Sequence, residues 1–391
     1  MKAAAIHQEK LDAGKIGLVD YLSLFLGFSQ ALLIYITSSY FKEASGTDDI
    51  GIYYILAYGT VLLVLFNLHK LIKRWGKSYT FLLNFLLKLI TLGVLMFLPP
   101  SGWGIFLLIL YIILSVLEIV FLDIILESFS TDRMSGRVRG LYLAIMNVGF
   151  IVGPFVSARI LGTSGFHLIF VISFLLNALI FVVTFLKLGR VNHKFSKQLT
   201  VGKLLGKVWK KKSVLRIYYI SFALEAFYAV MTIFSPLYLR SLGISWGDIG
   251  FIFSIMLIPF VIMPYPVGYL ADTKLKERGM IIFFLLLMGT STALVAFVDS
   301  AAAWLWASLF LVTRVGAASL QTLRDSYFYK KIDGRDVDLI DFFRTALPVA
   351  NIVIMAASIL ILLFFPMNYL FIFLSALVLS ALVPAVRLGA K

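Results

Sequence analysis

The chain has 391 residues, of which 61% are hydrophobic and 14% are charged, and its formal net charge is +15. Its mean hydropathy of +0.97 excludes an ordinary soluble domain. The absence of cysteine excludes disulfides, thiolate metal sites and thiol catalysis. The histidines, His7, His69, His167 and His193, are scattered without ligand-like spacing, so we predict neither a metal site nor a cofactor.

Twelve long apolar segments follow one another along the chain. A hydrocarbon core about 30 Å thick is crossed by roughly 20 apolar residues of helix, and in lipid every backbone polar group must be satisfied internally. We therefore predict an all-α membrane protein with 12 transmembrane helices. In chain order the predicted helices cover residues 16–41, 50–68, 78–98, 103–126, 139–162, 166–188, 213–240, 247–271, 280–298, 302–327, 339–364 and 367–387.

A lysine-dense stretch, Lys203–Arg216, separates the first six segments from the last six. We therefore expect two six-helix bundles, over residues 1–189 and 213–391, joined by a basic cytoplasmic linker over residues 190–212. Apolar residues at helical spacing within the linker favour an amphipathic helix on the inner leaflet. The alternative is a solvated linker that only sets the topology.

The loop charges predict the orientation. If both termini are cytoplasmic, the inner loops hold most of the basic residues outside the linker, whereas the outer loops offer Lys42, Arg240 and little else. The polar start, Met1–Lys15, shows no cleavable signal peptide. We expect a multi-pass protein of the plasma (inner) membrane. We therefore attribute the positive net charge to the cytoplasmic loops and not to nucleic-acid binding.

The two halves also share a short repeat. Glu127-Ser128-Phe129 lies nine residues before Gly136, and Asp325-Ser326-Tyr327 lies nine residues before Gly334, an offset of 198 residues that relates helix 4 to helix 10. A match this short can arise by chance, but it agrees with the six-plus-six division. Parallel six-helix repeats, related by an axis along the membrane normal, are a known membrane-protein architecture.

Two loops resemble a motif of a known family. After helix 8 stand Gly268-Tyr269-Leu270-Ala271-Asp272 and further basic residues, and after helix 2 stands Lys73-Arg74-Trp75-Gly76-Lys77. Both are similar to the loop motif of the major facilitator superfamily, in which glycine, three residues and aspartate precede basic residues. The loop after helix 2 departs from the motif, with His69 in place of glycine and Lys73 in place of aspartate. The resemblance implies a cytoplasmic gate that includes Arg74, Gly76, Gly268 and Asp272.

Helix 5 contains Gly149-Phe150-Ile151-Val152-Gly153-Pro154, which resembles the antiporter motif of the same family, with Ser157 in place of its last glycine. Glycines four residues apart let two helices approach closely. Pro154 removes one backbone hydrogen bond and permits a kink. Two interpretations of Gly149, Gly153 and Pro154 stay open, a simple packing kink and a direct role in antiport.

Ionisable residues at membrane depth are costly, so each one is a functional hypothesis. The resemblance implies that helices 1, 4, 7 and 10 line a central cavity, and polar residues recur on one face of each of these helices. We favour Glu225 and Glu118 as proton carriers, because a desolvated carboxyl takes up a proton more readily than one in water. The other residues predicted for the substrate and proton pathway are Asp20, Gln30, Tyr228, Arg314 and Gln321.

Several of these charges have two interpretations. Arg314 is predicted either to contact the substrate or to form a structural ion pair with Glu225. Lys88, in the middle of helix 3, is predicted either to reach inward to an acid or to extend toward lipid head groups. Asp20, close to the cytoplasmic end of helix 1, could instead cap the helix or snorkel. Residues at the cytoplasmic ends of helices 4 and 10 are predicted to belong to the gate, namely Asp123, Glu127 and Asp325.

The resemblance implies a secondary transporter that works by alternating access. We expect it to move a small organic solute, with proton coupling and export by antiport as the favoured mode. The alternatives are a proton-coupled uptake symporter or a facilitator for a polar metabolite, a lipid or lysolipid transporter, and a sensor that keeps the fold without transport.

The sequence also predicts what the chain lacks and what it binds. It contains neither a phosphate-binding glycine loop nor a catalytic nucleophile motif, so we do not expect an enzyme. By resemblance the chain acts as a monomer. Its expected partners are the solute, protons and the lipid bilayer.

Overall fold

The computed structural model of the chain describes residues 13–127, 135–187, 206, 208–209, 211–273, 277–331 and 337–389. Within these ranges every regular element is a helix. By length and composition, 11 of the helical stretches are apolar enough to cross a membrane. The all-helical membrane architecture predicted from composition is therefore confirmed.

The first half of the chain contributes helices 1 to 6. Helix 1 is interrupted by a short turn at Tyr35 and Ile36. Gly76 alone joins helix 2 to helix 3, and its φ of +84° lies in the left-handed region that favours glycine. Helix 1 consists of Ala13–Ile34 and Thr37–Ser45, helix 2 of Gly51–Trp75, helix 3 of Lys77–Leu95, helix 4 of Gly102–Glu127, and helices 5 and 6 together of Ser135–Lys187.

Helices 5 and 6 are two crossings that meet at Gly165, where φ is +68° and ψ is −164°. Residues on both sides of this glycine touch the same part of helix 1. A Cβ built on Gly153 would lie 2.3 Å from the Cβ of Ala31, and the hydroxyl oxygens of Ser173 and Ser29 are 3.3 Å apart. Twenty residues of straight helix would separate Gly153 from Ser173 by about 30 Å. The chain must therefore reverse at Gly165, and the 11 apolar stretches make the 12 predicted crossings.

The second half contributes helices 7 to 12, and most of these are interrupted. Prolines explain several of the interruptions, because proline has no N–H to donate to the preceding turn. Pro259 and Pro264 each begin a new segment of helix 8. Helix 7 consists of Lys212–Ile233 and Ser235–Ser241, helix 8 of Trp246–Leu257, Pro259–Ile262 and Pro264–Thr273, helix 9 of Glu277–Val295, helix 10 of Ala303–Lys331, helix 11 of Val337–Arg344 and Ala346–Phe364, and helix 12 of Asn368–Ser380 and Leu382–Val386.

The helix contacts follow the same pattern in both halves. Helix 3 packs on helices 4 and 6, as helix 9 packs on helices 10 and 12, and helix 1 packs on helix 5 as helix 7 packs on helix 11. Between the halves, helix 2 packs on helix 11 and helix 8 packs on helix 5. Each of these contacts maps onto its counterpart when six is added to a helix number, which is the pattern expected of a parallel repeat.

The two halves meet closely toward one end of the bundle. We call the end that carries Lys73, Arg74 and Lys77 the basic end, and the other the opposite end. The rings of Tyr35 and Phe253, on helices 1 and 8, have centroids 4.8 Å apart. The short segments Thr37–Ser45 and Ser235–Ser241, which end helices 1 and 7, also pack together. These contacts close the interface between the halves toward the opposite end.

The predicted linker over residues 190–212 lies largely outside the described residues, which include only 206, 208–209 and 211–212 of it. Its amphipathic and solvated interpretations both stay predictions. The predicted bounds of the two bundles, 1–189 and 213–391, likewise stay predictions.

Candidate functional site

A cavity of about 520 Å³ lies between the two halves. It extends toward the basic end, where Tyr329, Phe343 and Arg344 line it. The polar lining from the first half comprises Gln30, Tyr35, Thr37, Tyr54, Tyr58, Tyr111, Ser115 and Asn147. The polar lining from the second half comprises Ser221, Glu225, Tyr228, Thr232, Arg314, Gln321, Arg324, Asp325, Tyr329, Arg344 and Asn351. Among the described residues, a neutral wall rich in tyrosine therefore faces a wall that holds all the charged lining residues.

Arg324 is the centre of an ionic network in the charged wall. Its Nη1 donates to Glu225 Oε1 at 2.8 Å and to Ser221 Oγ at 3.0 Å. Its Nε donates to Asp325 Oδ1 at 3.0 Å. The guanidinium also lies over the ring of Phe343, with 5.4 Å between Cζ and the ring centroid. Arg324 thus ties helix 7 to helix 10 through a charged pair that is largely withdrawn from solvent.

Helical spacing explains why these groups meet. Ser221 and Glu225 are four residues apart on helix 7, so both point to the same neighbour. Tyr228, three residues further on, donates from its hydroxyl to Gln321 Oε1 at 3.0 Å. Gln321 is itself three residues before Arg324 on helix 10. The facing stripes of helices 7 and 10 are therefore joined by successive polar contacts along their length.

Arg314 lies ten residues before Arg324 on helix 10, toward the opposite end, and it has no such partners among the described residues. The residue is only 2% exposed and lines the cavity. Its Nε and Nη2 are buried without a hydrogen-bond partner, and its Cζ lies 4.9 Å from the ring centroid of Phe227 and 5.8 Å from that of Tyr228. Glu225 pairs with Arg324 and not with Arg314. Of the two interpretations that the sequence allows for Arg314, the ion pair with Glu225 is not the one that the structure adopts.

Glu118 and Lys88 form an ion pair outside the cavity lining. Their side chains are 1% and 0% exposed, and Lys88 Nζ donates to Glu118 Oε2. The ammonium lies 5.6 Å from the ring centroids of both Phe85 and Tyr111, and Tyr111 itself lines the cavity. Lys88 therefore reaches inward to an acid and does not extend toward lipid. The second oxygen of the Glu118 carboxylate, Oε1, is buried and has no hydrogen-bond partner among the residues described.

The other residues predicted for the pathway divide between the cavity and its surroundings. Gln30 lines the cavity and donates to the carbonyl of Ser115 at 3.4 Å. Tyr228 and Gln321 also line it, and so does Asp325, which was predicted for the gate. Asp20 is buried outside the lining near the basic end, and its Oδ1 has no hydrogen-bond partner in the part of the chain that the structure describes.

The glycines of the helix 5 motif face helix 1. A Cβ built on Gly149 would lie 2.2 Å from the carbonyl oxygen of Leu24 and 2.7 Å from the amide nitrogen of Phe28. Gly153 is equally close to Ala31. Pro154 lies one residue further on, where helix 5 approaches Gly250 of helix 8. The motif therefore lies where helix 5 contacts both helix 1 and the other half of the molecule.

The predicted gate residues lie at the basic end. Arg74 is exposed at the end of helix 2, and Gly76 forms the tight connection to helix 3. Gly268, on helix 8, lies beside Thr322 of helix 10. The side chains of Asp123, Glu127 and Asp272 fall outside the described part of the chain, so their predicted gate contacts stay untested.

The sequence reasoning missed several cavity residues. The most consequential is Arg324, which holds Glu225. The sequence contained a signal for Arg324, because this residue lies three positions after Gln321, which was already assigned to the cavity face of helix 10. Tyr35, Tyr54 and Tyr58 were also missed, although they form much of the neutral wall.

Comparison with known proteins gives one family and a set of similar folds. The family model described as Major Facilitator Superfamily matches residues 120–335. No curated protein matches the chain significantly by sequence.

Among solved structures, a mutant of the nucleoside transporter NupG superposes with a TM-score of 0.75 and 13% identity, over 96% of this chain and 100% of that one. The POT family transporter PepTSo superposes with a TM-score of 0.76 and 11% identity, over 96% and 97%. A POT family transporter in complex with 5-aminolevulinic acid gives 0.74 and 14%, over 96% of both chains. At these identities the likeness shows the fold alone.

Proposed function

The chain belongs to the Major Facilitator Superfamily as a multi-pass secondary transporter, and we propose that it exports a small organic solute in exchange for protons. The solute would occupy the cavity between the halves, which alternating access would expose to each side in turn. Both walls of this cavity come from one chain, which supports a monomer as the working unit. The basic residues at one end support a cytoplasmic position for that end in the plasma (inner) membrane.

The observation that carries the coupling proposal is the pairing of Glu225 with Arg324 in the cavity wall. Protonation of Glu225 would remove its charge and leave Arg324 without its charged partner on helix 7. Breaking a buried pair from one side typically costs about 3–5 kcal/mol. The protonation state of Glu225 is thereby linked to the packing of helices 7 and 10, and linkage between a ligand and a conformation is reciprocal.

The resemblance of the helix 5 motif to the family's antiporter motif favours antiport over the alternatives, and the position of the motif supports a role in moving the halves. Gly149 and Gly153 set the contact with helix 1, and Pro154 lies where helix 5 meets helix 8. A change in the bend of helix 5 would therefore move one half relative to the other. The lipid alternative loses its main support, because Lys88 is enclosed in an ion pair and is not open to head groups.

Reconstitution tests the proposal. A thermal-shift screen of the purified protein against metabolites and drugs would first identify a solute. Proteoliposomes containing a pH-sensitive dye would then report proton movement during solute flux. Antiport predicts that protons move opposite to the solute, whereas symport moves them together and a facilitator moves none. Proton movement in the same direction as the solute, or its absence, would overturn the antiport assignment.

A further inference from the structure

Arg314 is a buried cation with two guanidinium nitrogens, Nε and Nη2, that have no hydrogen-bond partner among the described residues. A guanidinium presents five N–H donors in a planar fork and stays charged in proteins. Its Nε and Nη2, which have no partner, form the edge that accepts the two oxygens of a carboxylate or phosphate side by side. Buried donors without acceptors are expensive, so this arrangement indicates a group that supplies acceptors when the cavity is occupied.

The charges of the cavity wall do not provide that group. The described acids in the lining are Glu225 and Asp325, and both bind Arg324. Arg324 is ten residues from Arg314 on helix 10, or about 15 Å along the axis. Among the described residues Arg314 forms no ion pair. An uncompensated charge at membrane depth is costly and marks a functional site.

The surroundings of Arg314 suit an organic anion with an aromatic or apolar body. The rings of Phe227 and Tyr228 lie within 6 Å of the guanidinium. Tyr35, Tyr58 and Tyr111 add flat apolar faces and hydroxyl groups across the cavity. A volume of about 520 Å³ is in the range that holds small organic ligands.

We propose that Arg314 binds a carboxylate or phosphate group of the transported solute, so that the substrate class is organic anions. This inference rests on the proposed transport function and adds the chemistry of its substrate. The ionic network at Arg324 remains available for coupling, since the anion is held at a separate depth. The substrate anion would therefore bind Arg314, whereas the proton site, Glu225 on helix 7, pairs with Arg324, a different arginine of helix 10.

Pairs of ligands in which one member is an anion and the other is neutral test the inference. Their binding is measured by thermal shift of the protein in detergent, without a pH gradient. The probes are indole-3-acetate against indole-3-acetamide, phenylacetate against phenylacetamide, and phenyl phosphate against phenol. We expect at least one anion to raise the thermal midpoint while its neutral partner does not. The carboxylate and phosphate pairs show which anion the site prefers. If no anion stabilises the protein more than its neutral partner, the inference is wrong.

Variants locate the binding to Arg314. Arg314→Gln should weaken the bound anion about tenfold or more, as expected for loss of a charge-assisted hydrogen-bond pair. Arg314→Lys keeps the charge but not the fork, so it should recover only part of the affinity. Removal of an uncompensated buried charge should leave the unliganded protein folded. Arg240→Gln is the matched control, because Arg240 also lies near an aromatic ring, Trp246, but lies outside the cavity lining.

The outcomes separate this inference from the proposed function. Anion binding that is unchanged in Arg314→Gln would remove Arg314 from the site. Transport of a neutral solute without any anion binding would overturn the inference and leave the transport proposal standing. Anion binding that depends on Arg314, in a protein that moves no solute in proteoliposomes, would support the site and overturn the transport proposal.

Discussion

Glu225 is the acid in the cavity wall whose charge is balanced by an arginine on another helix. Replacing it with glutamine keeps a hydrogen-bond acceptor for Arg324 but removes the titrating group. We predict that Glu225→Gln loses solute accumulation driven by a pH gradient and retains solute exchange at equal pH. Proteoliposomes assayed for gradient-driven accumulation and for counterflow measure the two activities separately.

The matched control for this variant is Glu277→Gln. Glu277 is also paired, with Lys330 at 2.8 Å, but it lies outside the cavity lining. It should retain both activities. Uphill transport that persists unchanged in Glu225→Gln would refute the assignment of Glu225.

The Lys88–Glu118 pair gives a prediction about stability. Neutralising one member leaves the other charged and buried, so Lys88→Met and Glu118→Gln should each lower the free energy of unfolding by about 3–5 kcal/mol. Replacing both, as Lys88→Met with Glu118→Leu, should recover most of the loss, because an apolar pair of similar volume often substitutes for a buried ion pair. Unfolding in a denaturant titration measures each variant.

The same double variant tests Glu118 as the second proposed proton carrier. If gradient-driven transport survives in it, Glu118 carries no proton and its role is structural. Single variants that unfold like the wild type would show instead that the pair is not shielded from water.

Sequence periodicity placed Glu225, Tyr228, Arg314 and Gln321 on faces that do meet in one cavity. It could not place Glu118. Helical spacing puts this residue on the face of Tyr111 and Ser115, which line the cavity, but its longer side chain turns sideways to Lys88 on helix 3. The pairing of two buried charges depends on which helices are neighbours, and spacing along one helix does not contain that information.

At the scale of elements, the contact of helix 5 with helix 1 depends on glycine. A Cβ at position 149 would overlap backbone atoms of Leu24 and Phe28, which cannot move aside as a flexible side chain can. We predict that Gly149→Ala lowers the free energy of unfolding by about 1–3 kcal/mol, the usual cost of overpacking. The substitution should also slow transport, because helix 5 can no longer pack closely against helix 1.

Gly59→Ala is the matched control for this substitution. Gly59 lies in the interior of helix 2, and a Cβ there meets nothing within 4 Å. Alanine favours helix over glycine, so this variant should be as stable as the wild type or more stable. Equal effects of the two substitutions on unfolding would contradict the close contact at Gly149.

Hydropathy predicted the helices well where they are regular, as the predicted range 302–327 and the observed Ala303–Lys331 illustrate. It did not predict the turn within helix 1, because Tyr35 and Ile36 are as apolar as their neighbours. The interruptions of helix 8 occur at Pro259 and Pro264, a signal that the predicted range 247–271 did not use. Such local breaks arise from single backbone groups. Because hydropathy is averaged over a window of many residues, it does not detect them.

At the scale of the whole molecule, the sequence predicts 12 membrane crossings that run alternately in opposite directions. It does not predict toward which end of the bundle the cavity is open. Two conformations of a transporter share one sequence, and the difference lies in which contacts between the halves are made. Here helices 5 and 8 are in contact through Ala158 and Gly250, and the cavity extends toward the basic end. Alternating access requires that this contact separate when the cavity opens to the other side.

A disulfide across this contact tests that requirement. A Cβ at position 250 would lie 2.9 Å from the Cβ of Ala158, and a shift of about 1 Å brings two cysteines to disulfide geometry. Because the chain has no cysteine of its own, Ala158→Cys with Gly250→Cys creates the sole pair. We predict that oxidation stops solute transport and that reduction restores it, while anion binding to the detergent-solubilised protein persists. Oxidised Ala158→Cys alone should transport normally, and transport at the wild-type rate in fully cross-linked protein would show that the halves need not separate there.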